Sequence, residues 1–427
     1  FYQILHAVER PLDITEFEKT PFRNTSDLYK VKPSLVWQMK GKKSSSAFFE
    51  QLKQEEKERD QEITKKAKEN EKKNADDDGK TISERLPLTK MEKKATKDAD
   101  PMYSLIEYDE NMALAFLVRK FPESFATSIR ILSELKYRFQ NEEIKTMLDY
   151  GAGLGATSLA FEDLFPNPEF VVNVEPSDSM RRLGRYITQE SSNTTWVSSL
   201  ADTLRFDQHK TYDIVSVCNV LEEMGSPEQR LSALADLWKK VRPGGFFVFV
   251  EPGSPMGFRF VNDARNYFLS LSREEANIVA PCPHQHSCPM AKKNKVWCNF
   301  EQMYERYPKD VLSKEPREHM DKSGHFSYIV VKKGPILTTS LLAKTPQEKS
   351  LFWPRIIKPT LIRKGHVILD LCTTAGTLEK RIISKNHNED DKSYKHSRIM
   401  KWGDLWPIPM RIPNRFRKTA KRGKRLW

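Results

Sequence analysis

The stretch that decides the fold is MLDYGAGLGATSLA, residues 147–160. An apolar run ends at Asp149, and three glycines follow at alternate positions, Gly151, Gly153 and Gly155. Glycine lets a backbone approach a ligand closely and adopt angles that a side chain would forbid. The pattern therefore predicts a tight turn between a strand and a helix, with its backbone close to a bound ligand.

Segments on both sides of this turn alternate between strand-like and helix-like patterns. The helix-like segment SPEQRLSALADLWKKV, for example, separates two short apolar runs. Strands that alternate with helices build a parallel sheet with helices on both faces, so we predict an α/β fold of the doubly wound, Rossmann-like type. The strand-like runs are IKTMLDY (144–150), EFVVNVE (169–175), YDIVSVCNV (212–220), GGFFVFVEP (244–252), HFSYIVVKK (325–333) and HVILDLC (366–372).

The spacing of the glycines indicates which ligand the turn suits. It is G-x-G-x-G, which differs from the G-x-G-x-x-G of dinucleotide-binding proteins. Such a loop suits a ligand without a pyrophosphate, for example S-adenosylmethionine. Glu175 ends the next strand about 20 residues later, where a carboxylate accepts hydrogen bonds from ribose hydroxyls. We expect Asp149, Gly151, Gly153, Gly155 and Glu175 to bind this cofactor.

A Pro-Gly-Gly turn before the strand FFVFVEP completes the pattern. Together, these features resemble the class I S-adenosylmethionine-dependent methyltransferases over residues 145–255. Members that methylate amino groups carry Asn/Asp-Pro-Pro-Tyr/Phe after the fourth strand, and this chain has SVCNVLEEM there. Enzymes that methylate pyrimidine carbon pair two cysteines, but the strand after Cys218 contains none. We therefore interpret Cys218 as a small hydrophobic residue, assign no catalytic residue and leave enzymatic activity open.

Four of the five cysteines form a pattern of their own, Cys282-x5-Cys288-x9-Cys298 with Cys372 far along the chain. The loop that holds the first three is hydrophilic and rich in proline, so core packing does not explain them. Thiolates are soft ligands that bind zinc or iron–sulfur clusters. The wide spacing, without the paired C-x2-4-C of structural zinc sites, favours a cluster. Zinc remains an alternative, since His284 and His286 lie in the same loop.

Longer motifs resemble one family. PCPHQHSCPM, WCNFEQ, HFSYIVVKKG, WPRIIKPTLIRKGHVILDLCT and KWGDLWP are similar to those of the mitochondrial small-subunit ribosome assembly family. These are methyltransferase-like proteins related to bacterial predicted rRNA methyltransferases, and the match runs from Asp109 to Pro407. The resemblance implies a 4Fe-4S cluster held by Cys282, Cys288, Cys298 and Cys372.

The same resemblance implies a function. We expect a protein of the mitochondrial matrix, with a transit peptide outside the residues read here, that helps to assemble the small ribosomal subunit. Its expected partners are small-subunit rRNA, mitochondrial small-subunit ribosomal proteins and other assembly factors. The methyltransferase domain would then serve as a recognition platform. The alternative is an active S-adenosylmethionine-dependent rRNA methyltransferase.

Charge and composition fit a nucleic-acid partner and divide the chain. The formal net charge is +13 at pH 7, and nucleic acid is the usual partner of so basic a protein. We expect no membrane span, since no apolar run reaches about 18 residues. Predicted regions are a charged N-terminal extension (1–100), a helical lead-in (101–144), the methyltransferase-like core (145–280), a cysteine-rich metal-cluster loop plus strand (281–335), and a small C-terminal region (336–427) with the fourth cysteine and a basic tail.

Overall fold

The structure is a computed structural model, and its described residues run from 108 to 407, together with five positions between 50 and 58. Within 108–407 the undescribed positions are 189–192, 204–210, 225, 294, 306–320, 337–341 and 386–390. Most of the predicted N-terminal extension and the predicted basic tail therefore lie outside the described residues.

The main sheet has eight strands. In chain order they are β1 (Thr146–Tyr150), β2 (Phe170–Val174), β3 (Thr194–Val197), β4 (Tyr212–Cys218), β5 (Val241–Pro252), β6 (Ala276–Ala280), β7 (Phe300–Glu305) and β8 (Asp321–Lys333). Their spatial order is β3-β2-β1-β4-β5-β8-β6, with β7 also paired to β8. The first five strands are parallel, whereas β8 runs antiparallel to β5. The strand order reverses between β1 and β4, which is the position where doubly wound sheets bind ligands at the carboxyl ends of the strands.

This topology confirms the predicted α/β fold of the class I methyltransferase type. Five of the six predicted runs form strands of the main sheet. One of them, HFSYIVVKK, lies in β8 between β5 and β6. The segment after the cysteine loop is thus an integral part of the main sheet.

Helices cover both faces of the main sheet, and the last helix packs against the second sheet described below. They are α1 (Glu110–Arg119), α2 (Phe121–Arg138), α3 (Ala156–Leu164), α4 (Asp178–Thr188), α5 (Pro227–Lys239), α6 (Pro255–Ser270), α7 (Pro346–Ser350) and α8 (Asp391–Ile399). Some of these helices start with capping side chains. Ser226 and Gln229 form a capping box at α5, and the Ser254 hydroxyl accepts from Gly257 N–H at α6. None of the described helices is long and apolar enough to cross a membrane.

Strand β5 shows how the sheet divides the core. Phe246 packs in the hydrophobic cluster that includes α2 and α3. Its neighbour Phe247 packs in the cluster that includes α5 and α6. Both side chains are fully buried. Successive side chains of a strand point to opposite faces, so a continuous apolar run fills two helical layers at once.

A second, smaller sheet follows the main one. Its strands are β9 (Arg355–Ile356), β10 (Leu361–Arg363), β11 (His366–Cys372) and β12 (Leu378–Ser384), with β11 at the centre. Val367, Leu369 and Leu371 point to one face and form a separate core with α8. Cys372 therefore ends the central strand of this sheet.

Two leucines on α5 test the assignment of its buried face. Leu234 is 2% exposed and Leu231 is 43% exposed. We expect Leu234→Ala to lower the free energy of unfolding by about 2–5 kcal/mol, because it leaves a cavity in the core. The matched change Leu231→Ala should cost less than about 0.5 kcal/mol. Urea unfolding followed by circular dichroism measures both, and equal losses would contradict the assignment.

Candidate cofactor loop and cysteine site

The glycine loop joins β1 to α3 at the carboxyl edge of the sheet. Gly151, Gly153 and Gly155 have φ values of 69°, 57° and 79°, a region that favours glycine. The Gly151 N–H donates to Val174 O at 2.8 Å, which ties the loop to the end of β2. A Cβ atom at Gly151 would overlap Val220 Cγ2, so a larger residue does not fit at that position.

Glu175 lies against this loop. Its Oε2 accepts a hydrogen bond from the Gly153 N–H and its Oε1 accepts one from the Ser177 N–H, both at 2.9 Å. Burial raises the pKa of the Glu175 carboxyl, and the two N–H groups oppose that rise. A carboxylate has about four acceptor positions. Acceptor capacity thus remains on Glu175 for hydroxyl groups of a ligand.

Asp149 lies below the loop, at the end of β1, and is 1% exposed. The Ser216 hydroxyl donates to its Oδ1 at 2.5 Å. Its Oδ2 has no hydrogen-bond partner among the described residues. Burial raises the pKa of Asp149 to about 7. A buried carboxylate oxygen without a donor indicates a missing polar neighbour, so this position fits a ligand that brings one.

The lead-in to α1 covers the glycine loop. The Tyr108 hydroxyl donates to Glu223 Oε1 at 2.9 Å, and Tyr108 O accepts from the Ser177 hydroxyl at 3.0 Å. Phe116, on α1, lies 3.7 Å from the position that a Cβ atom of Gly153 would occupy. Any ligand of the loop would therefore lie beneath an aromatic cover from the N-terminal lead-in.

Cys218 ends β4 next to this loop. The Thr157 hydroxyl lies 3.5 Å from its sulfur as a donor. Burial, followed by the nearby Asp149 carboxylate, raises the pKa of the Cys218 thiol. A thiol with a raised pKa stays protonated and is a poor nucleophile. The environment of Cys218 therefore offers nothing that would activate it.

The four other cysteines come together at the junction of the two sheets. Cys288 and Cys372 are buried in one small cluster, and Cys298 packs against it. Burial raises the pKa of the Cys298 thiol well above its usual value, and negative charge on Cys282, Cys288 and Cys372 raises it further. All four thiols thus lie within electrostatic reach of one another. Several thiolates at such close range need a compensating cation.

Among the described residues, no three His, Cys, Asp or Glu side chains are grouped so that they hold a metal ion. A tetrahedral zinc site would need its sulfur ligands at about 2.3 Å from the metal. The predicted ligands lie near one another, and the predicted iron–sulfur cluster, like the zinc alternative, stays a prediction. The donor set, four soft thiols, fits such a group chemically.

His284 and Arg265 pack around the cysteines. His284 is 4% exposed, and its Nε2 lies 3.4 Å from Cys372 Sγ. Burial, and then the Arg265 charge, lower the pKa of His284 to about 4. Arg265 Nη2 donates to His286 O at 2.5 Å and so shapes the loop between the first two cysteines. Of the two histidines named as zinc ligands, His284 is the one whose ring contacts a cysteine here.

A buried ion pair beside the site joins distant parts of the chain. Arg355 donates to the Glu134 carboxylate at 2.6 and 2.9 Å, and Arg138 donates to it at 2.8 Å. Burial, the largest single effect, raises the pKa of Glu134, but the charge and hydrogen bonds of Arg355 together with the charges of Arg138 and Arg130 outweigh it and lower the pKa to about 2. Because this pKa is below the ordinary 4.5, the pair stabilises the folded chain at neutral pH. That contribution is lost as the pH falls from about 4.5 towards about 2.

Comparison with known proteins identifies the family. The sequence profile of the family described as "Mitochondrial small ribosomal subunit Rsm22" matches residues 110–407. The chain belongs to the Rsm22 family. Two tandem Rsm22-cox11 proteins of Schizosaccharomyces pombe, both named mitochondrial, are 31% identical over 333 residues, which is 70% of this chain and 43% of each relative. The human mitochondrial ribosome assembly protein METTL17 is 26% identical over 316 residues, 71% of this chain and 64% of the relative. The chain thus spans less than two thirds of the length of these relatives.

Solved structures similar to this Rsm22-family chain include methyltransferases. An O-methyltransferase from Bacillus cereus, solved with S-adenosylhomocysteine, has a TM-score of 0.32 at 10% identity and covers 54% of this chain and 93% of its own. An rRNA methylase from Streptococcus thermophilus has a TM-score of 0.26 at 9% identity and covers 45% of this chain and 89% of its own.

The predicted site residues thus form two groups in the structure of this Rsm22-family chain. The first group lies at the glycine loop, at the carboxyl edge of β1 and β2. It consists of the three glycines, Asp149 and Glu175. The four cysteines form the second group, at the base of the C-terminal sheet. Sequence reasoning missed Glu134 and Arg355, which are 221 positions apart. A signal was present in the stretch LFWPRII, where Arg355 interrupts an otherwise apolar run.

Two glutamates on α2 test the importance of the buried pair. Glu134→Gln removes the charge opposite Arg355 and Arg138, and we expect it to lower the free energy of unfolding by about 3–5 kcal/mol, because a buried charge loses its partner. Glu123, on the same helix, pairs among the described residues with exposed Lys120 at 3.8 Å. The matched change Glu123→Gln should cost less than about 1 kcal/mol. Denaturant unfolding at neutral pH measures both, and similar losses for the two variants would rule out a special role for Glu134.

Proposed function

We propose that this Rsm22-family chain is an assembly factor for the mitochondrial small ribosomal subunit, acts in the matrix and binds small-subunit rRNA. In this proposal the methyltransferase-like core recognises the partner, and a 4Fe-4S cluster joins the core to the C-terminal sheet. The observation that carries it is the convergence of Cys282, Cys288, Cys298 and Cys372 from two separate parts of the chain.

Topology explains why a group at these cysteines would act as a staple. Cys282 follows β6 and Cys298 precedes β7, and both strands pair with β8 of the main sheet. Cys372 ends β11 of the C-terminal sheet. A group bound to all four would close a loop across both sheets, and binding free energy at such a site becomes folding free energy.

The chain's own residues prepare the site for this role. A 4Fe-4S cluster would supply the positive charge that four neighbouring thiolates need. Buried residues keep water away, namely Met290 and Ile357. Arg355, which donates to Pro281 O at 3.0 Å, places the start of the cysteine loop. None of these roles requires methyl transfer.

Charge and family membership support the rRNA part of the proposal. A formal net charge of +13 favours a polyanion. The human relative is named a mitochondrial ribosome assembly protein, and the S. pombe relatives are named mitochondrial. Neutralised phosphates supply most non-specific affinity for RNA, so a basic chain of this family is suited to such a partner.

Two cysteine variants test the cluster proposal. We expect anaerobically purified protein to contain iron and sulfide at about four each per chain, with broad visible absorption and little zinc. Cys288→Ser should lose most of the iron and sulfide and melt at a lower temperature, because it removes a ligand. Cys218→Ser, which changes the cysteine outside the group, should keep both elements at the wild-type level.

Two results would contradict the cluster. One zinc per chain without sulfide would identify a zinc site instead. Equal iron content in Cys288→Ser, Cys218→Ser and wild type would show that the iron is bound elsewhere.

Active rRNA methylation is the second candidate, and the unpartnered Asp149 Oδ2 together with Glu175 favours at least cofactor binding. We expect Glu175→Gln to weaken S-adenosylmethionine binding roughly 10- to 100-fold, because one acceptor becomes a donor beside two N–H groups. Glu169→Gln, an exposed change at the amino end of β2, should leave affinity unchanged. Isothermal titration calorimetry measures both, and transfer of a labelled methyl group to a small-subunit rRNA transcript tests activity. Absence of binding to the wild-type chain would reject this candidate.

A further inference from the structure

The segment AKKNKV at 291–296, between Cys288 and Cys298, carries the most concentrated positive charge of the described loops around the site. We name it the lysine segment. Lys292, Lys293 and Lys295 are all exposed. The surrounding stretch from 281 to 300 contains no aspartate or glutamate. Three positive charges therefore face solvent, and the first acidic residue after them is Glu301.

Both ends of the lysine segment are fixed. Met290, just before it, is 4% exposed, and its carbonyl accepts from Lys293 N–H at 3.0 Å. After it, the Trp297 indole N–H donates to Gly253 O at 2.7 Å. A loop with anchored ends loses less conformational entropy when its exposed part binds a partner. The residues that flank the lysines are thus fixed, while the three lysines are exposed to solvent.

The charge of the lysine segment is not compensated within the described part of the chain. No described acidic side chain forms an ion pair with Lys292, Lys293 or Lys295. Other surface lysines differ, since Lys145 pairs with Glu143 and Glu169 at 2.6 and 3.0 Å. An exposed patch of unpaired like charge attracts a partner of the opposite sign.

The lysine segment lies at the ligand-binding edge of the fold. Gly253, which accepts the Trp297 hydrogen bond, directly follows β5 at its carboxyl end. The glycine loop lies at the same edge, after β1. Open α/β sheets bind ligands outside the carboxyl ends of their strands. A polyanion on the lysine segment would therefore lie along the edge where this fold receives its partners.

We propose that the lysine segment binds the phosphate backbone of RNA. The inference rests on the rRNA binding proposed above and names the surface that performs it. Lysines act as point charges for phosphate, and contacts to phosphate carry no sequence information. The contacts are therefore independent of sequence and position the RNA on the protein. Closely spaced lysines match the regular charge of a nucleic-acid strand better than the scattered carboxylates of a folded protein.

The test compares two triple variants of the full chain. One is Lys292→Gln, Lys293→Gln and Lys295→Gln. The matched control is Lys239→Gln, Lys344→Gln and Lys349→Gln, which removes the same charge at the opposite edge of the sheet. Lys239 ends α5 just before β5 begins. Ser350, the last residue of α7, accepts from Arg138 near the end of α2, shortly before β1, which places Lys344 and Lys349 at that edge too.

The measurement is the salt dependence of binding to a fluorescent single-stranded RNA of mixed sequence. We expect the lysine-segment variant to reduce the slope of log K against log salt by about 2, because it removes three phosphate contacts. The control should leave the slope within about 0.5 of wild type, since its lysines face away from the RNA. Changing the same three lysines to arginine should preserve the slope, because the charge is kept.

Each other outcome has a distinct meaning. Wild-type protein that binds no RNA would overturn the proposed function. Equal slopes for wild type and the lysine-segment variant would overturn this inference alone. The same holds if polyglutamate displaces the fluorescent RNA as well as unlabelled RNA does at the same charge concentration. If the triple variant has a lower melting temperature than wild type or loses iron, the single variant Lys293→Gln replaces it in the test. Its expected change in the slope of log K against log salt is about 0.7.

Discussion

The buried carboxylate of Glu134 is the contact on which the arrangement of the two sheets depends. It accepts hydrogen bonds from Arg355 of the C-terminal sheet and from Arg138 of its own helix. Arg138 also donates to Val279 O at 2.6 Å, and Arg355 to Gly403 O at 2.8 Å. One carboxylate thus positions α2, the end of β6, β9 and the segment after α8. Apolar residues of the same volume can stabilise a core as well or better, so we infer that the ion pair contributes positional specificity more than stability.

The geometry of the cysteines follows from that contact. Arg355 is the strand partner of Cys372 in the antiparallel pair of β9 and β11. The same arginine donates to Pro281 O, one residue before Cys282. When Glu134 holds Arg355 in place, the fourth cysteine and the start of the cysteine loop are brought to one point. The ligands of the proposed cluster are therefore positioned by an ion pair that contains no ligand.

Sequence patterns predicted those parts of the fold whose signal is local. The apolar runs at β1, β2, β4 and β5 are long enough to be recognised, and the helical lead-in predicted over 101–144 contains α1 and α2. Strand β3 was not predicted because TTWV is short, and β7 was not predicted because FEQMYE is largely polar. Their strand state comes from pairing with neighbours, which single-sequence propensity does not contain.

The candidate site divides in the same way. The glycines and Glu175 are recognisable because their spacing is a local property of one strand-turn-helix unit. Glu134 is not, since in LSELKYR it looks like an ordinary polar position of a surface helix. Only the contact with a residue 221 positions away shows that it is buried. Long-range polar contacts of this kind leave little trace in composition or periodicity.

The hydrogen bonds of the glycine loop bear on what the methyltransferase fold is for in this chain. Gly151 N–H and Ala152 N–H donate to Val174 O, and Gly153 N–H donates to Glu175. The loop is thus held by its own chain, and its shape does not depend on a bound cofactor. Next to it, burial raises the pKa of the Cys218 thiol and so disfavours the nucleophilic thiolate. A fold whose ligand loop is held by its own hydrogen bonds can serve as a rigid recognition surface with or without methyl transfer.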